Sequence, residues 1–290
     1  MDLKQLLYFK TIVEEGSILS ASKKLFMSQP PLSKQIQLLE EELNCKLFER
    51  GARQIVLTNE GKYLYEQAKT LLSLSDITKE EIINLSKSDR GSIRIGIVSS
   101  TGSYVLEKYL IPFHKKYPLV KFEISEANTY QLIEKLNANL IDIAIVRTPF
   151  DDSGLKVIKL IEEKLVVIGN KEYFKNKNIV LKDIESLPLV IYRRWENILL
   201  KEFSKRKINP NIVCINDDAR TTMAWVNSKN AITIVPNSAS LFMNDDCEML
   251  EIEDLDISSN IVIIHKNNAH LSKITNLFIE NNLQVIDNLK

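Results

Sequence analysis

Apolar residues recur along this chain at two periods, and the period changes once. Through residues 1–58 the spacing is helical. Gly16 breaks one helical run, Ser17 then reads as an N-cap, and Ile18, Ala21 and Leu25 share a helix face. Met27-Ser28-Gln29 is a short polar turn. Pro30 and Pro31 suit the first turn of the next helix, where a missing N–H costs nothing. That helix buries Leu32, Ile36, Leu39 and Leu43. Two short helices joined by a tight turn predict a helix-turn-helix; an ordinary αα-hairpin with a solvated polar face fits the same spacing. Residues 47–57 read as strand, glycine turn, strand, which is a wing. A proline-free helical run follows over 58–88, about 31 residues and roughly 46 Å long. From Gly91 the texture changes. Strands are predicted at 92–99, 121–127, 141–147, 164–168, 188–192, 212–216, 231–235 and 261–265. Helices fall between them, at 104–117, 130–139, 196–207 and 219–228. Such alternation argues for parallel α/β units.

The polar side of the second short helix presents Gln29, Ser33, Lys34 and Gln37. Between Ser17 and Leu39 stand three lysines and no acid. The formal charge of the chain is zero, with 38 basic and 38 acidic residues, so the balance conceals a local positive face. A helix of this kind can enter a DNA major groove ~12 Å wide with its first residues at base edges. Gln and Lys read base edges, and Ser holds phosphates. Arg50 and Arg53 fall near the wing tip, where arginine suits a narrow minor groove. Glu40, Glu41 and Glu42 are read as a solvated end pointing away from DNA.

The run YFKTIVEEGSI…A…KL…SQPPLSKQIQLLEEEL…LFER…R…LTNEG closely resembles the N-terminal domain of LysR-type transcriptional regulators over about the first 65 residues. The resemblance implies a winged helix-turn-helix whose DNA contacts fall on Gln29, Pro30, Pro31, Ser33, Lys34, Arg50 and Arg53. Four positions depart from the family's pattern. Leu19 stands for Thr, Ser22 for Ala, Asn44 for Gly and Lys34 for Arg. Asn can take the left-handed conformation that the Gly position asks for. Lysine lacks the fork that reads guanine bidentately.

Leu57, Leu64, Leu71 and Leu85 fall at sevens on the long helix, with Ala68 and Ile82 on the same stripe. A heptad stripe on a long exposed helix wants a partner helix, and these six residues are the expected dimerisation contacts. Packing against its own domain is the alternative. A dimer would place two recognition helices on the half-sites of a pseudo-palindrome. The resemblance implies dimers that pair into tetramers.

In the C-terminal part, the first strand ends in Ser99-Ser100-Thr101-Gly102 before a helix, the second at Asn128-Thr129, and the third at Arg147-Thr148-Pro149. Ligands in open α/β sheets bind beyond the carboxyl ends of the strands. Ser99, Ser100, Thr101, Asn128, Thr129 and Arg147 are therefore expected to line one cleft, although strand-end serines also serve as plain helix caps. A second lobe offers Tyr192-Arg193-Arg194, Asp217-Asp218 and Pro236-Asn237-Ser238. Two lobes with two crossings resemble the periplasmic-binding-protein-like effector domain of LysR-type regulators, which implies cleft positions at Ser99, Ser100, Thr129, Arg147 and Arg193. Two arginines favour an anionic effector, a small carboxylate. Asp217 or Asp218 would meet an amine or cap a helix, and a structural ion pair fits each of these charges.

The expected division is 1–58 for the DNA-binding domain, 59–89 for the linker helix and 90–290 for the effector domain. Within the last, lobe I takes about 91–161 and 267–290, and lobe II about 162–266. The composition, 44% hydrophobic and 26% charged, is that of an ordinary soluble globular chain. No apolar run approaches the ~20 residues that span a bilayer. The start carries no secretory signal, and three widely spaced cysteines fit a reducing cytoplasm. An exported solute-binding protein is excluded on these grounds together with the helix-turn-helix. The sequence holds no G-x-S-x-G elbow, P-loop or H-E-x-x-H motif, so an enzyme with an appended DNA-binding domain finds no support. Three scattered histidines make no metal site, and neither metal nor cofactor is expected. A thiol redox sensor is the other alternative; Cys214 in an apolar strand and Cys247 beside Asp245-Asp246 both disfavour the thiolate. The expected partners are double-stranded promoter DNA, the effector, further copies of the chain and, as an open option, RNA polymerase.

Overall fold

The computed structural model describes residues 1–49, 55–84, 90–174 and 176–287. The chain forms two compact units, one built on Met1–Ser88, the other on Asp89–Asn268 and Lys273–Lys290.

The first unit opens with α1 (Leu3–Glu15). Asp2 caps it, accepting from Gln5 N–H at 2.7 Å, while Gln5 Oε1 accepts from Asp2 N–H at 3.1 Å. This reciprocal box satisfies two N–H groups that a helix start leaves free. Gly16 ends the helix in the left-handed region at φ 67°. Ser17 caps α2 (Ile18–Lys24), accepting from Ser20 N–H at 3.0 Å. The third helix, α3 (Gln29–Leu43), carries prolines in its first turn. Asn44 stops it at φ 51°, with Cys45 N–H returning to Glu40 O at 3.2 Å. Asn thus fills the left-handed role of glycine at a helix C-terminus. Leu6, Phe9, Ile12, Ala21, Leu32 and Leu39 form the core that the three helices share.

Two features of this unit depart from the sequence reading. Glu40 is not a solvated acid. It is buried, accepts from Leu47 N–H at 2.8 Å and pairs with Lys46 at 2.6 Å. It closes the bend after α3, because the turn at Asn44 brings the chain back over the last helical turn. The heptad stripe of α4 (Asn59–Asn84) also divides. Leu64 and Ala68 are buried in the unit's own core, and Leu57 packs against that core. Leu71 and Ile82 are exposed; Leu85 lies outside the described residues. The first turns of α4 lie against α1, so only the later part of the stripe is open. At the wing's base Phe48 bridges Leu57, and Glu49 N–H donates to Val56 O at 2.9 Å. Arg50 and Arg53 lie outside the described residues.

The second unit is a mixed α/β sheet in the order β2-β1-β3-β9-β4-β7-β5-β6, with β8 also on β4. In chain order it runs β1 (Gly91–Val98), a 3-10 turn Ser99–Thr101, α5 (Gly102–Val105), a π-turn Leu106–Leu110 and α6 (Ile111–Lys116). Next come β2 (Val120–Ala127), α7 (Thr129–Asn137), β3 (Ile143–Arg147) and β4 (Leu155–Asn170). The second lobe adds β5 (Leu189–Tyr192), α8 (Arg193–Lys205), β6 (Ile212–Asn216), α9 (Ala219–Asn227), β7 (Ile232–Pro236) and β8 (Cys247–Glu251). The chain returns through β9 (Ser258–Lys266) and finishes in α10 (Lys273–Asp287).

The predicted parallel pairs are present, β1 with β2 and β3, and β5 with β6 and β7. The connection between lobes is antiparallel. β4 is a 16-residue strand whose first half pairs with β9 and whose second half pairs with β7 and β8. Its first half escaped the sequence reading because Lys159, Glu162 and Glu163 interrupt the apolar run. β9 pairs with β3 along 261–264, so the chain re-enters the first lobe's sheet ahead of the expected 266. β8, reading CEMLE, carries too few apolar positions to show a period.

Gly61 marks a close approach that no side chain tolerates. A Cβ there would run into the backbone carbonyl oxygen of Leu47. Thr58 Oγ1 holds the same junction, donating to Lys46 O at 2.7 Å and accepting from Gly61 N–H at 2.9 Å. Gly61→Ala is expected to destabilise the first unit by about 1–3 kcal/mol through overpacking, read as an earlier urea transition by circular dichroism. An unchanged midpoint would show that the junction is looser than described.

Candidate functional site

The carboxyl ends of the strands meet in the second unit as a polar cleft between its lobes. From the first lobe come the Ser99–Thr101 turn after β1, the start of α7 and the end of β3. From the second come the end of β5, the start of α8 and the 3-10 turn Asn237–Phe242 after β7.

Arg147 is the centre of this arrangement. Its residue is 1% exposed. Nη2 pairs with Glu163 Oε2 at 2.7 Å and donates to Ser238 Oγ at 2.8 Å. Glu163 accepts in turn from Ser238 N–H at 2.8 Å and Oγ at 3.1 Å. Nε and Nη1 of Arg147 are buried and have no hydrogen-bond partner. Arg194 reaches across from α8. Its Nη1 donates to Thr129 Oγ1 at 3.0 Å, and its Nη2 to Arg147 O and Pro149 O. Arg194 Nε is also buried without a partner. Ser100 lies buried, its Oγ next to the Tyr192 phenol and without a hydrogen bond of ordinary geometry.

The electrostatics follow from burial. Desolvation pulls the Arg147 guanidinium below its usual range, and Glu163 opposes the shift. Desolvation likewise lowers Arg194, and the neighbouring Arg147 charge lowers it further. Burial pushes the Tyr192 phenol up. Two mutually repelling guanidiniums thus lie side by side, and the Glu163 carboxylate pairs with only Arg147. Three guanidinium nitrogens, which carry four N–H groups, and the Ser100 hydroxyl have no partner within the protein, and a buried donor left unpaired costs about 1–3 kcal/mol.

The expected cleft residues divide on this geometry. Ser100, Thr129 and Arg147 come together. Ser99 sits half-buried at the head of the turn. Thr101 Oγ1 donates to Val98 O at 3.1 Å and holds the backbone. Asn128 is the N-cap of α7, accepting from Gln131 N–H at 3.0 Å. Arg193 is exposed and turns outward to pair with Asp217 and, at 3.8 Å, Glu196. The guanidinium at the cleft is Arg194, one residue on. Asp218 caps α9, accepting from Arg220 N–H at 2.7 Å. Arg220 in turn pairs with Glu126 of the opposite lobe at 2.9 Å. Glu163 escaped the sequence reading altogether, while Tyr192, Arg194 and Ser238 stood among the second lobe's strand-end residues without a cleft position assigned to them. Arg193-Arg194 was visible as a pair, but helix phase decides which one turns inward.

On the first unit, Gln29, Pro30, Pro31, Lys34 and Gln37 are exposed along α3, with Ser33 half-buried. As far as Gln37 this face carries no acid; the exposed Glu41 stands at its far end. Beside α4 an apolar groove of about 550 Å³ is lined by Leu43, Leu47, Tyr63, Leu64 and Leu71 among others. All three cysteines are free thiols. Cys247 is buried, which pushes its thiol up, while Cys214 is only half-buried on the edge strand β6. Among the described residues no cluster of His, Cys, Asp and Glu is placed to hold a metal. No described helix is long and apolar enough to cross a membrane.

Glu163→Gln removes the one carboxylate that, among the described residues, pairs with the buried Arg147 guanidinium. Stability should fall by about 3 kcal/mol, the penalty for stranding one partner of a buried pair. Chemical denaturation followed by Trp195 fluorescence measures this; a loss below 1 kcal/mol would show that Arg147 finds other compensation.

Comparison with known proteins places these features. The family described as "Bacterial regulatory helix-turn-helix protein, lysR family" matches residues 3–62, and the "LysR substrate binding domain" matches residues 86–285. The HTH-type transcriptional regulator BsdA of Bacillus subtilis is 30% identical over 289 residues, covering 97% of this chain and 99% of that protein. The regulator BenM of Acinetobacter baylyi is 29% identical, covering 96% and 94%. The crystal structure of full-length BenM has a TM-score of 0.57 at 28% identity, covering 98% of this chain and 96% of that one. Full-length CbnR complexed with its target DNA shares the fold, with a TM-score of 0.67 at 23% identity, covering 98% and 99%.

Proposed function

The chain belongs to the LysR family of transcriptional regulators, a DNA-binding regulator with a substrate-binding domain and not an enzyme, and from that premise we propose that a small carboxylate bound between the two lobes controls it. The observation that carries this reading is the set of unsatisfied buried donors: Arg147 Nε and Nη1, Arg194 Nε and the Ser100 hydroxyl. A carboxylate offers acceptors to these groups and offsets the excess positive charge of the two guanidiniums. Thr129, already bonded to Arg194, and Tyr192 complete the polar wall. The lobes already touch through Arg194 and through the Arg220–Glu126 pair. A ligand that prefers one lobe arrangement shifts the population toward it.

Operator contacts are assigned to Gln29, Pro30, Pro31, Ser33, Lys34 and Gln37 on α3, and to Arg50 and Arg53 in the wing. Self-association is assigned to the exposed part of the α4 stripe, Leu71 and Ile82, with the adjoining apolar groove. Two copies would present two recognition helices to a pseudo-palindrome, and dimers would pair into tetramers. Three free thiols suit a reducing cytoplasm, and the raised Cys247 thiol argues against redox sensing there.

Calorimetric titration of the full-length protein with small carboxylates and their isosteric amides tests the effector class. A carboxylate should bind and its amide should not. Arg147→Gln should weaken binding about 30-fold or more, as expected when a buried charge-assisted contact is truncated. Ser100→Ala should weaken it about fivefold, a neutral hydrogen bond. Equal binding of acid and amide would overturn the anionic cleft. For the DNA face, Lys34→Ala should weaken operator binding and lower the slope of log affinity against log salt by about one. An unchanged slope would remove Lys34 from the phosphate contacts.

A further inference from the structure

The turn between α2 and α3 holds a residue that folding alone does not favour. Phe26 N–H returns to Lys23 O at 3.2 Å and Met27 N–H to Ser22 O at 3.0 Å. This double return places Phe26 at the position just past a helix end that glycine or asparagine ordinarily fills. Gly16 and Asn44 fill the equivalent left-handed positions after α1 and α3. Phe26 takes it at φ 53°, a conformation unfavourable for a bulky side chain. It also leaves its ring 96% exposed, while its neighbours Leu25 and Met27 pack against the core. Strain and apolar exposure therefore coincide at one residue, and neither contributes to the fold. Strained residues that persist in this way point to a functional role.

The surroundings say what would cover the ring. Phe26 stands three residues before Gln29, where α3 begins, next to the part of that helix, Gln29 to Gln37, that carries no acid. Lys23, Ser28 and Lys34 flank it, all exposed, and Ser28 makes no side-chain capping bond. Lys24 is engaged with Glu15 at 2.6 Å. Lys23 and Lys34, with no carboxylate between them along the chain, complement the phosphates of a duplex. Resting on the assignment of α3 to DNA, we infer that Phe26 is a further operator contact, its ring lying against an apolar part of the duplex, a thymine methyl or a deoxyribose face, at the lip of the groove that α3 enters. Thymine methyls are the apolar feature that side chains meet in the major groove. The backbone strain at Phe26 in the free protein is then the cost of an aromatic held ready at the edge of the recognition helix.

The test uses the full-length chain and a duplex that the wild-type protein itself selects from a random-sequence pool. Phe26→Asn relieves the backbone and removes the ring; Phe26→Leu keeps an apolar group. Phe26→Asn should melt a few degrees higher than wild type and bind the selected duplex about tenfold more weakly, the loss of a partly buried aromatic contact. The salt slope should stay unchanged, because no phosphate contact is lost. Phe26→Leu should keep most of the affinity. Deoxyuridine in place of thymine across the half-site distinguishes the two contacts. If wild-type affinity drops to that of Phe26→Asn, the ring meets a methyl; if it holds, the ring meets sugar. Wild-type affinity from Phe26→Asn, a lowered salt slope, or a lowered melting temperature would each overturn the inference. Failure of the wild-type chain to select any duplex would instead remove the DNA assignment of α3, and this inference with it.

Discussion

Arg147 carries a full charge into a site that is almost closed to water, and the rest of the effector domain is arranged around that constraint. A buried guanidinium needs a nearby carboxylate and acceptors for its five N–H groups. Glu163 supplies the first from the long strand β4, and Ser238 supplies another from the turn after β7. Arg147 is on the first lobe and Ser238 on the second, while β4 runs through both sheets. One ion pair with its hydroxyl therefore ties both lobes to the strand they share. The compensation is incomplete, since two of the guanidinium's nitrogens lack partners.

Arg194 reinforces the same logic from the other side. Its side chain leaves the second lobe and ends on the Thr129 hydroxyl and on backbone carbonyls of the first. A hydrogen bond from a charged group to a neutral acceptor is stronger than a neutral one. It still leaves the charge uncancelled, so the two arginines repel through a poorly screened medium. The outward neighbour Arg193 shows the contrast. Its pairing with Asp217 is exposed to solvent, and such pairs contribute little to stability.

Much of this was legible in the sequence where the information is local. The capping serine at Ser17 and the prolines opening α3 depend on residues within one turn and stand as the spacing implied, and Asn44 takes the left-handed conformation that the resemblance implied. Strand ends pointed to Ser100, Thr129 and Arg147, which the fold brings together, because small hydroxyl residues and an arginine follow apolar runs there. What escaped depends on contacts between residues far apart in the chain. Glu40 reads as the first of three solvated acids until the chain returns to place Leu47 N–H over it. Glu163 looks like an interruption of a strand until Arg147 approaches it. Leu64 and Ala68 share a heptad stripe with Leu71 and Ile82, yet α1 covers only the first two. A period along one helix states which residues share a face, and says nothing about what lies against each part of that face.

The choice between Arg193 and Arg194 shows the limit most sharply. Both follow β5 and both begin α8, so no count of apolar positions separates them. Their directions differ by about 100°, the rotation per residue of a helix with 3.6 residues per turn. The helix is anchored in rotation by Trp195, Leu199 and Phe203, at steps of four, which face the second lobe's core. With that face fixed, Arg193 is carried out toward Asp217, and Arg194 is carried over the Trp195 ring toward Thr129. The charge presented to the cleft is thus determined by apolar residues one and two turns further along the same helix. The chemistry of the site is set by the packing of the helix behind it.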